Sequence, residues 1–318
     1  MKLSAILESL DIKGEDPSRV SALGPGAFDW LRILFGLIVL YDAWASLSWD
    51  HKMQMMQFLG LPMESPWLHP VVAVISFVKL AIAVSLLAGR GIRVMGWVGI
   101  LYALLVWLIV EHGGEFDQDA TDPGIGLPYL VVFLYAMGAD RLRGDPDIGR
   151  NYMLSLARIS FGLLWACDAL LKFQPYFLDN YLSYLADAGK DMPGWIATYD
   201  AAWVALSQAL GPPVVAWLVA LIEAALAVGL LLGRGLRILG PIGLGLSFVI
   251  WSVPERWGGP YSFGVTSMPM SLVGIAVIYM VALGYVWVLY NPLDLFRAKQ
   301  AAKIYGVQPV PQTRVATS

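Results

Sequence analysis

A single cysteine, Cys167, among 318 residues has no partner for an intrachain disulfide, a CxxC redox pair or a cysteine-ligated cluster. Histidine is almost as scarce. His51, His69 and His112 are the only three, and none lies inside a long apolar run, which excludes a bis-histidine haem between membrane helices. No His/Cys grouping has zinc or copper spacing. The acidic stretch EFDQDATD (115–122) lacks the residue order of a calcium loop. There is no P-loop and no dinucleotide fingerprint. Haem, metal, nucleotide and nucleic acid are therefore not expected, and any electron carrier must be lipid-soluble or arrive with a partner. Charge is scarce as well, at 14% of residues against about a quarter in soluble domains. The first 27 residues carry Lys2, Glu8, Asp11, Lys13, Glu15, Asp16 and Arg19 without an apolar core, so no cleavable signal is expected.

Apolar side chains are plentiful. They make up 58% of the chain, and mean hydropathy is +0.64. Runs near 28–48, 71–88, 92–110, 127–139, 152–172, 214–232, 236–254 and 271–290 each approach the about 20 residues that span hydrocarbon. They predict an all-α integral membrane protein with eight transmembrane helices. Of the 21 Lys and Arg, the loops on one side hold only Lys52, Lys172, Lys190 and Arg256, and Lys79 lies within a span. The remaining sixteen fall on the other side, which the positive-inside rule assigns to the cytoplasm together with both termini. A multi-pass protein of a prokaryotic plasma (inner) membrane is expected. Twelve acids share the outer side with four bases. A net charge of about −8 there favours cationic partners and repels anions, although plain solvation also accounts for it.

The chain repeats itself. RILFGLIVLYDAW (32–44) matches RISFGLLWACDAL (158–170), aligning Arg32, Gly36 and Asp42 with Arg158, Gly162 and Asp168. LLAGRGIRVMG matches LLLGRGLRILG, and Trp107 and Glu111 then meet Trp251 and Glu255. The expected organisation is a cytoplasmic segment (1–27), two four-helix units (28–143 and 152–290) and a cytoplasmic tail (291–318). An even number of spans per unit makes the two bundles parallel repeats, related by an axis along the membrane normal. The Gly-Arg-Gly turns read as tight hairpins. The aromatic-rich stretch 173–212 reads as interfacial helices.

Each unit buries ionisable groups. Asp42 and Asp168 each lie ten residues past an arginine, about 15 Å along a helix. Lys79 and Glu223 each lie ten residues before the Gly-Arg-Gly turn. A charge at the bilayer centre costs at least about 2.5–3.5 kcal/mol, so each needs a partner or a cavity. In the first unit Lys79 can neutralise Asp42. In the second Asp168 and Glu223 are both acids, so one must hold a proton, bind a cation or be balanced by Lys79, Lys172 or Arg256. Structural polar networks would also satisfy all four. Glu111 and Glu255 close the third spans, each four residues past a Trp and followed by a Gly pair. A helix boundary and a proton acceptor beside exposed backbone N–H groups are both open readings.

The four-span unit, with its Arg-x-x-x-Gly first helix and basic turn, resembles the DoxX-like superfamily. ERWGGPYSFGVT (255–266), with Tyr279 in the following helix, is similar to DoxD, the small subunit of thiosulfate:quinone oxidoreductase. Glu255, Gly258, Gly259, Pro260, Tyr261, Gly264 and Thr266 carry that likeness. The first unit keeps Glu111, Gly113, Gly114, Thr121, Asp122, Gly124 and Tyr135. Ser267 stands where the related phrase continues with Asp, Phe116 where Tyr is usual, and Lys79 where the second helix carries an acid. The resemblance implies a membrane subunit of a quinone-linked oxidoreductase. Glu255, Asp168 and Glu223 would then handle protons. Arg256, Trp251, Tyr261, Gly258, Gly259 and Thr266 would bind quinone or substrate. Asp42, Lys79, Glu111 and Trp107 are the first unit's counterparts. Quinone enters as a diffusible substrate, with membrane lipid around it and a second subunit or extracytoplasmic redox protein as partner. The competing expectations are a non-catalytic scaffold for such an enzyme and, more weakly, a small-molecule carrier.

Overall fold

The computed structural model describes residues 24–47, 62, 65–114, 116–117, 119–142, 151–258 and 273–290. Among them every regular element is helical. They are α1 (Gly24–Ala45), α2 (Leu68–Ala88), α3 (Ile92–Leu105), which runs into a π-helical turn (Val106–Val110), α4 (Gly126–Leu142), α5 (Tyr152–Lys172), α6 (Pro175–Ala188), α7 (Gly194–Leu210), α8 (Pro212–Leu232), α9 (Leu236–Ser252) and α10 (Ile275–Tyr290). Four stretches are long and apolar enough to cross a membrane: His69–Ala88, Ile92–Val110, Tyr152–Lys172 and Pro212–Leu232. The chain is a helical membrane protein. The expected N-terminal segment and C-terminal tail lie outside the described residues, apart from the first residues of α1.

Packing follows the distribution of apolar side chains. α4 and α10 are apolar on all sides and buried almost throughout, from Val131 to Ala139 and from Ala276 to Val286. α2 and α8 instead turn large apolar side chains outward, Val74, Phe77 and Val84 on one and Val214, Leu218 and Val228 on the other. Water would penalise such a surface, and lipid does not. α1 packs on α2, α3 on α4, α5 on α8, and α9 on α10. α4 also packs on α5, α10 on α1, and α4 on α10. At that last contact Tyr135 and Tyr285 stack face to face, with ring centroids 5.6 Å apart and planes 4° apart.

The duplicated phrases build duplicated contacts. Arg32 donates to the carbonyls of Leu86 and Leu87, and Arg158 to those of Leu230 and Leu231. Each arginine on the first helix of a unit thereby satisfies carbonyls left free at the C-terminus of the second. The hairpins follow at once. Gly89 and Gly91 sit at φ 68° and 68°, Gly233 and Gly235 at 63° and 71°, a left-handed conformation that glycine adopts without strain. The stretch 173–212 forms α6 and α7, which pack on each other and on α8.

Candidate functional site

At the end of the bundle away from the Gly-Arg-Gly turns, the phrases around Glu111 and Glu255 form one device twice. Glu111 Oε1 and Oε2 accept the backbone N–H groups of Ile125 and Gly126, at 2.7 and 3.2 Å. Glu255 Oε1 and Oε2 accept the N–H of Ala276 at 3.0 and 3.1 Å. Each carboxylate caps the helix that follows, α4 or α10, where free N–H groups and the helix dipole favour negative charge. Trp107 Nε1 donates to the carbonyl of Pro123 at 2.9 Å, and Trp251 Nε1 to that of Val273 at 2.8 Å. A Cβ at Gly124 would come within 2.5 Å of Glu111 Oε2, and one at Gly274 would collide with Glu255 Oε2. Both glycines have positive φ, 110° and 89°. Gly258, at φ 69°, is packed against the Trp251 indole nitrogen. Trp107, Trp251 and Gly258 thus shape the loops, whereas Gly259, Tyr261 and Thr266 lie outside the described residues.

The first helix of each unit presents its aspartate to the fourth. Tyr129 donates to Asp42 Oδ2 at 2.6 Å, and Tyr279 to Asp168 Oδ2 at 2.8 Å. Phe35 packs on Tyr129, and Phe161 packs on Tyr279 at nearly the same ring separation, 5.7 and 5.8 Å. The counterpart of Tyr279 is therefore Tyr129, not Tyr135, which instead mirrors Tyr285.

Beside each aspartate the units diverge. In the first, Lys79 on α2 donates to Ser46 Oγ just past the end of α1 at 2.9 Å, and Ser46 Oγ donates back to the Asp42 carbonyl. Lys79 and Asp42 lie near enough to attract each other. In the second unit Lys172 takes the place of Ser46, and Glu223 that of Lys79. Lys172 Nζ lies 3.1 Å from Glu223 Oε2 and donates to the Thr121 carbonyl at 2.8 Å. The cation has moved from the second helix of the unit to the first, and the contact between the two positions is kept. Lys172 is the balancing cation for Glu223, so these acids do not face each other alone.

Asp168, Glu223 and Glu255 line one cavity of about 630 Å³, with Lys172, Trp165 and Tyr279. Asp122 and Glu111 from the first unit's loop reach its wall, and α6 covers one side through Phe177 and Tyr184. Arg256 also borders it and ties the loop to α6, its Nη2 donating to the Asp187 carbonyl at 2.8 Å. Asp42 and Lys79 do not line this cavity. Trp165 and Tyr279 meet edge to face, with centroids 4.9 Å apart. The apolar wall around Glu255 pushes its carboxyl up to about 8, against the pull of the Ala276 N–H. On α7, burial raises Asp200 to about 6, with Arg256 opposing. Among the described residues no three His, Cys, Asp or Glu are grouped as metal ligands. Sequence reasoning named Lys172 only as one of three cations that could balance Asp168 and Glu223, and it did not single out Gly274. Their signal was present in the register of the repeat, where Lys172 aligns with Ser46. No family model, curated protein or solved structure matches the chain.

Proposed function

We propose that the chain is the membrane subunit of a quinone-linked oxidoreductase, with the quinone ring bound in the cavity of the second unit. The observation that carries this reading is the meeting, in about 630 Å³, of a Trp165–Tyr279 ring pair with Asp168, Glu223, Glu255 and Lys172. That volume suits a small ring ligand, and reduction of a quinone takes up two protons with two electrons, which carboxyls can supply. The acid excess favours a neutral ring over an anion. Electrons then enter from a second subunit or extracytoplasmic redox protein. Thiosulfate, the donor that the DoxD resemblance implies, would meet only Lys172 and Arg256 as cations there.

The architecture behind this reading is eight spans in two parallel four-helix units, α1–α4 and α5 with α8–α10, with both termini on the cytoplasmic side of a prokaryotic inner membrane. Repetition of the Arg, Asp–Tyr and Trp–Glu contacts supports it, as does the Tyr135–Tyr285 stack. The cavity then opens on the extracytoplasmic side, beneath α6.

Titration of the purified protein with a short-chain ubiquinone, followed by tryptophan emission, tests the reading. Saturable quenching that is lost in Trp165→Phe is expected. Unchanged emission up to the solubility limit of the quinone would overturn it. The scaffold reading draws on exposed Tyr176 and Trp195 on α6 and α7, and it predicts co-purification of a redox enzyme that Trp195→Ala releases.

A further inference from the structure

We infer that Asp168 carries an exchangeable proton on Oδ1, whereas its counterpart Asp42 is a carboxylate. The inference starts from charge and geometry. Around Asp42 the described partners are Lys79 on α2, Tyr102 on α3, Tyr129 on α4 and Tyr41 on α1. One acid faces one base, and the pair is neutral. Asp168 is faced by Lys172 on its own helix, Glu223 on α8, Tyr279 on α10 and Asp122 in the loop before α4. Glu255 and Glu111 complete the wall. The single lysine is engaged by Glu223 and the Thr121 carbonyl. Among the described residues no second cation lies within the Asp168–Lys172–Glu223 cluster.

Asp168 is 3% exposed and Glu223 1%, so two ionised acids against one lysine would leave a buried net charge, which protonation removes. Among the described residues Asp168 Oδ2 accepts from Tyr279 and Oδ1 has no hydrogen-bond partner; Asp42 Oδ2 and Oδ1 stand the same way, so the balance of acids and bases is what separates the two. A proton on Oδ1 turns toward the cavity that Asp168 lines. It is the group placed to exchange a proton with a ligand there. That use rests on the quinone reading, but the presence of the proton does not.

Infrared spectroscopy of the full-length protein tests this through the carbonyl stretch of protonated carboxyl groups, without any quinone. In a Glu255→Gln background, which removes the other cavity carboxyl held protonated near neutral pH, a band that shifts in D₂O, is absent from Asp168→Asn and persists in Asp42→Asn is expected. Rebuilding the first unit's arrangement, Lys172→Ser with Glu223→Lys, leaves one acid against one base. This variant should stay folded, keep Asp168 and lose the band. If the band survives in Asp168→Asn, or in the rebuilt pair with native helicity, the inference is overturned. A band that behaves as expected without quinone quenching would defeat the quinone reading alone. Quenching without the band would defeat this inference alone.

Discussion

Glu255 shows how one carboxyl can serve structure and chemistry together. It caps α10 and borders the cavity. Its folded pKa of about 8 stands above the ordinary 4.5, so between those values the folded protein holds a proton that the unfolded chain has lost. Stability should therefore fall as pH rises through that window. Glu255→Gln, which keeps an acceptor for the Ala276 N–H, should flatten the dependence in thermal melts recorded from pH 4 to 9. Glu255→Ala should instead cost about 1–3 kcal/mol at any pH, because it strands N–H groups of α10. Lys172→Met leaves Glu223 buried without its cation. The expected loss is about 3–5 kcal/mol, read by thermal or denaturant unfolding in detergent, and Glu223→Gln in the same chain should recover much of it.

Elements are tied to one another by side chains at their ends more than by loops. The two arginines on α1 and α5 hold the closing turns of α2 and α8, and Arg32 is also paired with Asp29 at 3.0 Å. Removing several hydrogen bonds from a charged donor, Arg158→Ala should lower stability by about 1.5–3 kcal/mol. Arg32→Ala should do the same and lose the Asp29 pair as well, and both should leave far-ultraviolet helicity unchanged. Asn151 plays a similar part between the units. Its side chain caps α5 by accepting from Leu154 N–H and donates to the Gly138 carbonyl of α4 at 2.7 Å. Sequence reading passed over it because a single asparagine after an uncertain linker has no periodic signal.

On the scale of the whole molecule, the two sequence repeats meet through α4 and α10, and residues of both line one loop-end cavity. The topology is open to measurement. With Cys167 replaced by serine, single cysteines at Arg90 and Arg234 should react with a membrane-impermeant maleimide only from the cytoplasmic side. Cysteines at Asp119 and Asp187 should react from the opposite side. Reaction of positions 90 and 234 from opposite sides would mean inverted halves and remove the shared cavity mouth.

Composition and period were enough to determine a helical membrane protein and its internal repeat, because hydrocarbon demands long apolar runs and a duplicated contact keeps its residue types. The spacing of Arg32, Gly36 and Asp42 recurs in the second unit, since one straight helix fixes those distances. Sequence could not follow the repeat across loops of unequal length, and so it matched Tyr279 with Tyr135 instead of Tyr129. Only the packed structure decided that Lys172 stands where Ser46 does and faces Glu223, because that meeting depends on how two helices approach side by side. It also decided that Glu111 and Glu255 cap helices, since the N–H groups they accept lie 14 and 21 residues further along the chain.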